Sequence, residues 1–170
     1  MIELSVIRDL VAIFGVIAGL SYYVMVVRNN QRTQRQQLET RQAQLFMNLY
    51  ETWSTPGFRK RSNWVNQVLE YEDSEDFHSK YGAVADPDAF ADWASVAAYY
   101  EGIGVLIRKG LINIDLVYEL LRNSISITWE KMGPEFLDSR ARGTGHPTLF
   151  SNFEFLYNEI KKREESLADP

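Results

Sequence analysis

A chain of 170 residues, 45% hydrophobic and 13% aromatic, can supply one soluble domain with a sizeable core plus one membrane segment, but not two domains. Its net charge is −5 and its basic residues are dispersed apart from one short stretch, so the clustered Lys and Arg of a nucleic-acid footprint are missing and no nucleic-acid partner is expected. Cysteine is absent, which excludes a disulfide framework, thiolate metal ligation and a cysteine nucleophile.

Residues 10–27 carry no charged side chain, and Leu4, Val6 and Ile7 extend the apolar stretch. At 1.5 Å per helical residue the run spans about 27 Å, close to the hydrocarbon thickness of a bilayer. A cleaved signal peptide, with Val16-Ile17-Ala18 as its cleavage site, is the competing reading. The segment before the run argues against it, holding acidic Glu3 and Asp9 beside a single basic residue, Arg8. Residues 1–28 are therefore expected to form a single-pass anchor. Arg28, Arg32, Arg35 and Arg41 crowd the far end. Positive charge stays inside, which puts the N-terminus outside and the following domain on the cytoplasmic face of the inner membrane. Tyr22 and Tyr23 suit the interface near that end. Gly15 and Gly19, with Ala12 one turn earlier, offer a smooth face for close contact with another helix.

Residues 29–44 include six glutamines and no Pro or Gly, so the helix is expected to continue as a polar stalk. A helical bundle is expected over 45–165 and a charged tail over 166–170. Leu45, Phe46, Leu49, Tyr50 and Trp53 recur at helical spacing until Ser54-Thr55-Pro56-Gly57 ends the run. A second helix is predicted over 58–70. The acidic run at 70–76 has neither the spacing nor the central glycine of a calcium loop and reads as a solvated stretch before a loop. Asp86-Pro87 marks a helix start and Gly110 its left-handed end, enclosing the most apolar helix of the soluble part. Asp115 is expected to cap a helix reaching Lys131, which Gly133-Pro134 breaks before a short helix through Arg140. A last helix carries Leu149, Phe153, Leu156 and Ile160 on one face, with the chain charged and solvated from Lys161. No segment alternates with period two and no repeat occurs, so the fold class is all-α.

Glu101 stands among apolar residues, where an unpaired carboxylate is costly. Gly102 and Gly104 beside it lower helix propensity, which points to something packing close. Glu154 has similar surroundings, and Arg140 and Arg142 are the natural partners. A paired-carboxylate acid–base or di-metal site is one reading. Such sites recruit His at Glu-x-x-His spacing, which is absent, so structural ion pairs among Glu101, Arg140 and Glu154 are expected. Arg140, Arg142, Gly143 and Gly145 form a candidate anion nest, without the strand and Gly-Lys-Ser/Thr ending of a phosphate loop. His78 and His146 fall in predicted loops without ligand-like neighbours. No catalytic residue, metal ligand or cofactor-binding residue is assigned, and no cofactor is expected.

Phe90-Ala91-Asp92-Trp93, Tyr100-Glu101-Gly102-Ile103-Gly104, Lys109-Gly110-Leu111-Ile112, Trp129, Arg140 and Phe153-Glu154-Phe155-Leu156 occur in order. This pattern, covering 46–160, resembles a family of uncharacterised prokaryotic single-pass membrane proteins with a helical cytoplasmic domain of unknown function. The resemblance implies the architecture and no activity. The expected role is a non-enzymatic, membrane-anchored accessory or scaffold subunit engaging other subunits or copies of itself. The alternative is a membrane-tethered sensor that recognises an anion through the 140–146 loop.

Overall fold

The structure, a computed structural model, describes residues 4–168. Six α-helices follow in chain order: α1 (Leu4–Ser54), α2 (Pro56–Asn63), α3 (Ser74–Tyr81), α4 (Pro87–Arg108), α5 (Ile114–Ala141) and α6 (Ser151–Ala168), with a π-helical turn at Trp64–Val68. No strand occurs among the described residues. The fold is thus all-α: a long apolar N-terminal helix followed by a helical bundle. Contacts divide the chain into Met1–Arg41 and Gln42–Pro170.

In the first unit, the large apolar side chains described from Ile7 to Met25 are all exposed. The best 18-residue window of this helix has mean hydropathy 2.3, and none of it is buried within the chain. By length and composition this helix can cross a membrane.

The second unit owes its helix boundaries to side-chain caps. Thr55, Asp73, Asp86 and Asn113 each accept a hydrogen bond from a backbone N–H in the first turn of α2, α3, α4 and α5. The cap of α5 is therefore Asn113 rather than Asp115, whose carboxylate pairs with Arg163 of α6. Gly110, at φ 66°, ends α4: its N–H donates to Ile107 O, and that of Leu111 donates to Leu106 O.

Three expectations fail here. The segment 58–70 is not one helix, because α2 stops at Asn63 and widens into the π-helical turn. The acidic run, solvated at Glu70, Glu72, Asp73 and Glu75 as expected, leads into a helix and not a loop, since Asp73 caps α3 and Asp76 pairs with Lys80 one turn on. Pro134 does not break α5. Proline removes one intrahelical hydrogen bond and crowds the preceding turn. The carbonyl that Pro134 leaves without its helical donor is that of Glu130, and the Tyr71 hydroxyl donates to the neighbouring Lys131 O at 2.6 Å, which ties the same turn to another element. Trp129 folds against Gly133, where a Cβ would lie 2.7 Å from the indole. The last helix also runs past Lys161 to Ala168, while residues 169–170 of the predicted tail lie outside the described residues.

The core is aromatic. Tyr100, Phe77, Phe136 and Phe153 are fully buried, Tyr100 stacks on Phe153 at 5.0 Å, and Trp129 meets the edge of Phe153 at 5.0 Å. Such pairs contribute about 0.5–1.5 kcal/mol each beyond the area they bury. Helix α4 packs against α2, α3, α5 and α6 and so joins the bundle together.

Candidate functional site

The most constrained contact is the crossing of α4 with the start of α6. Gly104 is buried, and a Cβ there would sit 2.0 Å from Asn152 O. Nothing but glycine lets the two backbones meet at this distance. At Gly102 a Cβ would meet nothing within 4 Å, so the close packing expected at both glycines exists only at Gly104.

One turn before Gly104, Glu101 reaches across. Its Oε1 accepts from Asn152 Nδ2 at 2.6 Å and its Oε2 from the backbone N–H of Phe153 at 2.7 Å. The reason lies in α6 itself. The residue preceding this helix is Phe150, which has no side-chain acceptor and adopts φ 50°, a left-handed conformation costly for a non-glycine residue. Its ring holds it there, 4.4 Å from that of Phe136. The first turn of α6 thus lacks a cap of its own, and a carboxylate from α4 supplies one. Negative charge at a helix N-terminus is favoured by the backbone dipoles as well.

This corrects the expectation for Glu101. It forms no ion pair among the described residues, because its two oxygens serve the end of α6. The pair that does form is Arg140–Glu154, at 2.6 Å and partly buried. Arg140 Nε and Nη2 are buried without hydrogen-bond partners. A Glu101→Ala variant should lose about 2 kcal/mol, the value of a charged cap, and Glu101→Gln about half of that, since the amide keeps one acceptor. Urea midpoints of the full chain in detergent measure both, and parent-like stability of the Ala variant would remove the capping role.

The 140–145 loop serves to end α5. Gly143 takes φ 70°, and its N–H donates to Arg140 O while those of Thr144 and Gly145 donate to Ser139 O. These amides face the helix and not an anion, and Arg142 pairs with Asp138 at 2.8 Å. The pattern of Arg140, Arg142, Gly143 and Gly145 is that of a helix C-cap. His146 bonds Thr148 locally, at 2.9 Å.

Sequence reading missed a second polar centre. His78 lies on α3 rather than in a loop, and its Nε2 is 3.2 Å from Glu135 Oε1 on α5. Glu135 is 3% exposed, and its Oε2 has no hydrogen-bond partner. Burial pushes the Glu135 carboxyl up, against opposition from the Ser74 hydroxyl and the charge of His78. Nearby Tyr71 is pushed up to about 12, by burial first and by the Glu135 charge second. An acid–imidazole pair of this kind can share a proton, but neither residue lines a described cleft. No group of three or more His, Asp or Glu side chains is placed to hold a metal ion among the described residues.

Fold and polar centres together define the class: an all-α chain with one long apolar helix and a bundle whose carboxylates cap and pair its helices. A family model described as a domain of unknown function, DUF4760, matches residues 8–160, and the chain belongs to that family. Neither a curated protein nor a solved structure matches it.

Proposed function

We propose that this protein is a single-pass membrane-anchored accessory or scaffold subunit, whose bundle faces the cytoplasm and works through protein–protein contacts without catalysis. The carrying observation is the apolar helix. The large apolar side chains from Leu10 to Met25 are exposed and no charged residue interrupts them, so water would face a continuous apolar surface. A bilayer removes that cost. The family match starts at residue 8, so this segment belongs to the same family domain as the bundle. Arg28, Arg32, Arg35 and Arg41 supply the positive flank that orients it. Gly15 and Gly19 are open on their Cα side, where an added methyl would meet nothing within 4 Å, and with Ala12 they leave a face free for another membrane helix. The non-catalytic reading rests on the structural roles of Glu101, Arg140 and Glu154, which are engaged in a cap and an ion pair.

The test uses the full chain with a reporter fused after Pro170. It should stay with membranes through an alkaline wash, and only a cytoplasm-active reporter should work. Replacing Gly15 and Gly19 together by Leu should reduce complex size in mild detergent without releasing the chain. Extraction by the wash would refute the anchor, an export-dependent reporter would reverse the orientation, and unchanged complex size would discard the glycine face.

A further inference from the structure

The π-helical turn at Trp64–Val68 closes with Leu69 N–H donating to Trp64 O at 2.9 Å. Such turns are rare, and they concentrate at functional sites because they re-aim side chains that a regular helix would keep in register. Here the widened turn borders a cleft of about 200 Å³, whose polar lining includes Trp53, Arg59, Ser62, Asn63, Asn66 and Ser124. We propose that this cleft binds a small organic anion, one that carries a carboxylate or phosphate together with a hydroxyl or amine donor. The proposal is independent of the scaffold reading and of the anchor.

Four features of the cleft select that chemistry. No carboxylate lines it, although the chain carries a net charge of −5. Arg59 makes no ion pair among the described residues, whereas nearby Arg61 faces Asp92 at 4.0 Å, and the Arg59 guanidinium lies 4.6 Å over the Trp53 ring. Stacking fixes the plane of the guanidinium and leaves its N–H edge free for an oxyanion, which is how Arg recognises carboxylate and phosphate. The Trp53 wall is itself held: its indole N–H donates to Ser124 Oγ at 3.4 Å, and Ser124 is 2.6 Å from the hydroxyl of the fully buried Tyr100. Finally, Asn66 Nδ2 donates to Ser62 Oγ at 3.4 Å, while Asn66 Oδ1 is buried without a partner. An orphaned acceptor beside a free cation fits a ligand that brings both a negative group and a donor. The volume lies below the roughly 300–1,000 Å³ of drug-sized sites, which limits the ligand to a few carbons.

The test titrates the full chain in detergent with malate, a hydroxycarboxylate, and with glycerol 3-phosphate, using glycerol as the neutral control. Thermal midpoint and tryptophan fluorescence are read together. Saturable binding of either anion below about 10 mM is expected, with glycerol inert. Response to malate alone assigns a carboxylate, and response to glycerol 3-phosphate alone assigns a phosphate. Arg59→Gln should weaken binding about tenfold or more, because the charge-assisted bonds are lost. Its midpoint without ligand should fall only slightly, since Arg59 is exposed and makes no ion pair, and loses only its stacking on Trp53. Asn66→Leu should weaken binding as well, by filling the cleft with an apolar group. Failure of both anions to bind, an equal response to glycerol, or unchanged affinity in Arg59→Gln overturns the proposal.

Discussion

Gly104→Ala should destabilise the bundle by about 3 kcal/mol or more, whereas Gly102→Ala, two residues away on the same helix, should stabilise it by up to about 1 kcal/mol. Both substitutions gain helix propensity, which favours Ala over Gly by about 1 kcal/mol. The difference is what the added methyl meets. At Gly104 it would lie 2.0 Å from Asn152 O and 2.6 Å from Asn152 C, and these are backbone atoms that cannot swing aside. The first turn of α6 would have to withdraw from α4. That movement pulls Phe153 N–H away from Glu101 Oε2 and disturbs the stacked Tyr100 and Phe153 rings. At Gly102 there is open space. Chemical denaturation of the full chain in detergent reads both variants. Equal effects at the two positions would show that the crossing is looser than its geometry requires.

The same pair of glycines shows where sequence reading reaches its limit. Local signals were legible: Asp86-Pro87 and Gly110 bound α4 because capping is decided within a few residues. The apolar run was legible for the same reason. What depends on a distant partner was not. Glu101 stood out as a carboxylate in apolar surroundings, but its partner is the uncapped start of α6, and nothing near Glu101 in sequence announces that Phe150 cannot cap. Arginine was the chemically reasonable expectation, and Arg140 was instead taken by Glu154. Helix α3 escaped because eight residues with only two large hydrophobic anchors, Phe77 and Tyr81, are too short a run to show periodicity. Its loss hid His78, and with it the partner of Glu135. The Gly133-Pro134 break looked secure from composition alone, yet α5 runs through it, in a turn that the Tyr71 hydroxyl ties to another element through Lys131 O. The Trp53 cleft was invisible because it needs the π-helical turn, whose register no composition signal sets.

Glu135 should contribute a loss of stability with rising pH, and Glu135→Gln should remove that contribution. The sign follows from the direction of its shift. In the unfolded chain the carboxyl titrates near its ordinary 4.5, and in the folded protein burial pushes it higher. Between those two values the folded state holds a proton that the unfolded state has released. Stability therefore declines as pH climbs from 4.5 through the raised value, and levels off once both states are ionised. The groups facing Glu135 set how far the decline goes. Ser74 and His78 support its charged form, whereas Asp138 opposes it. His78→Ala removes the ring nitrogen 3.2 Å from Glu135 Oε1, so the fall should deepen by about 1–3 kcal/mol once Glu135 is ionised, the cost of a buried group left without its partner. At pH 4 the same variant should lie close to the parent, because a protonated Glu135 carries no charge for a partner to support. Glu135→Gln keeps the shape and removes this titration, so its stability should fall less with pH than the parent's, and His78→Ala should then add little. The four proteins, parent, two single variants and the double, are compared by urea midpoint from pH 4 to about pH 8, the range over which carboxylates and imidazoles ionise. If Glu135→Gln follows the parent's slope, the pH dependence arises at another carboxylate. If His78→Ala costs the same at both ends of the range, the ring contributes packing against Phe77, 5.4 Å away between centroids, and not charge.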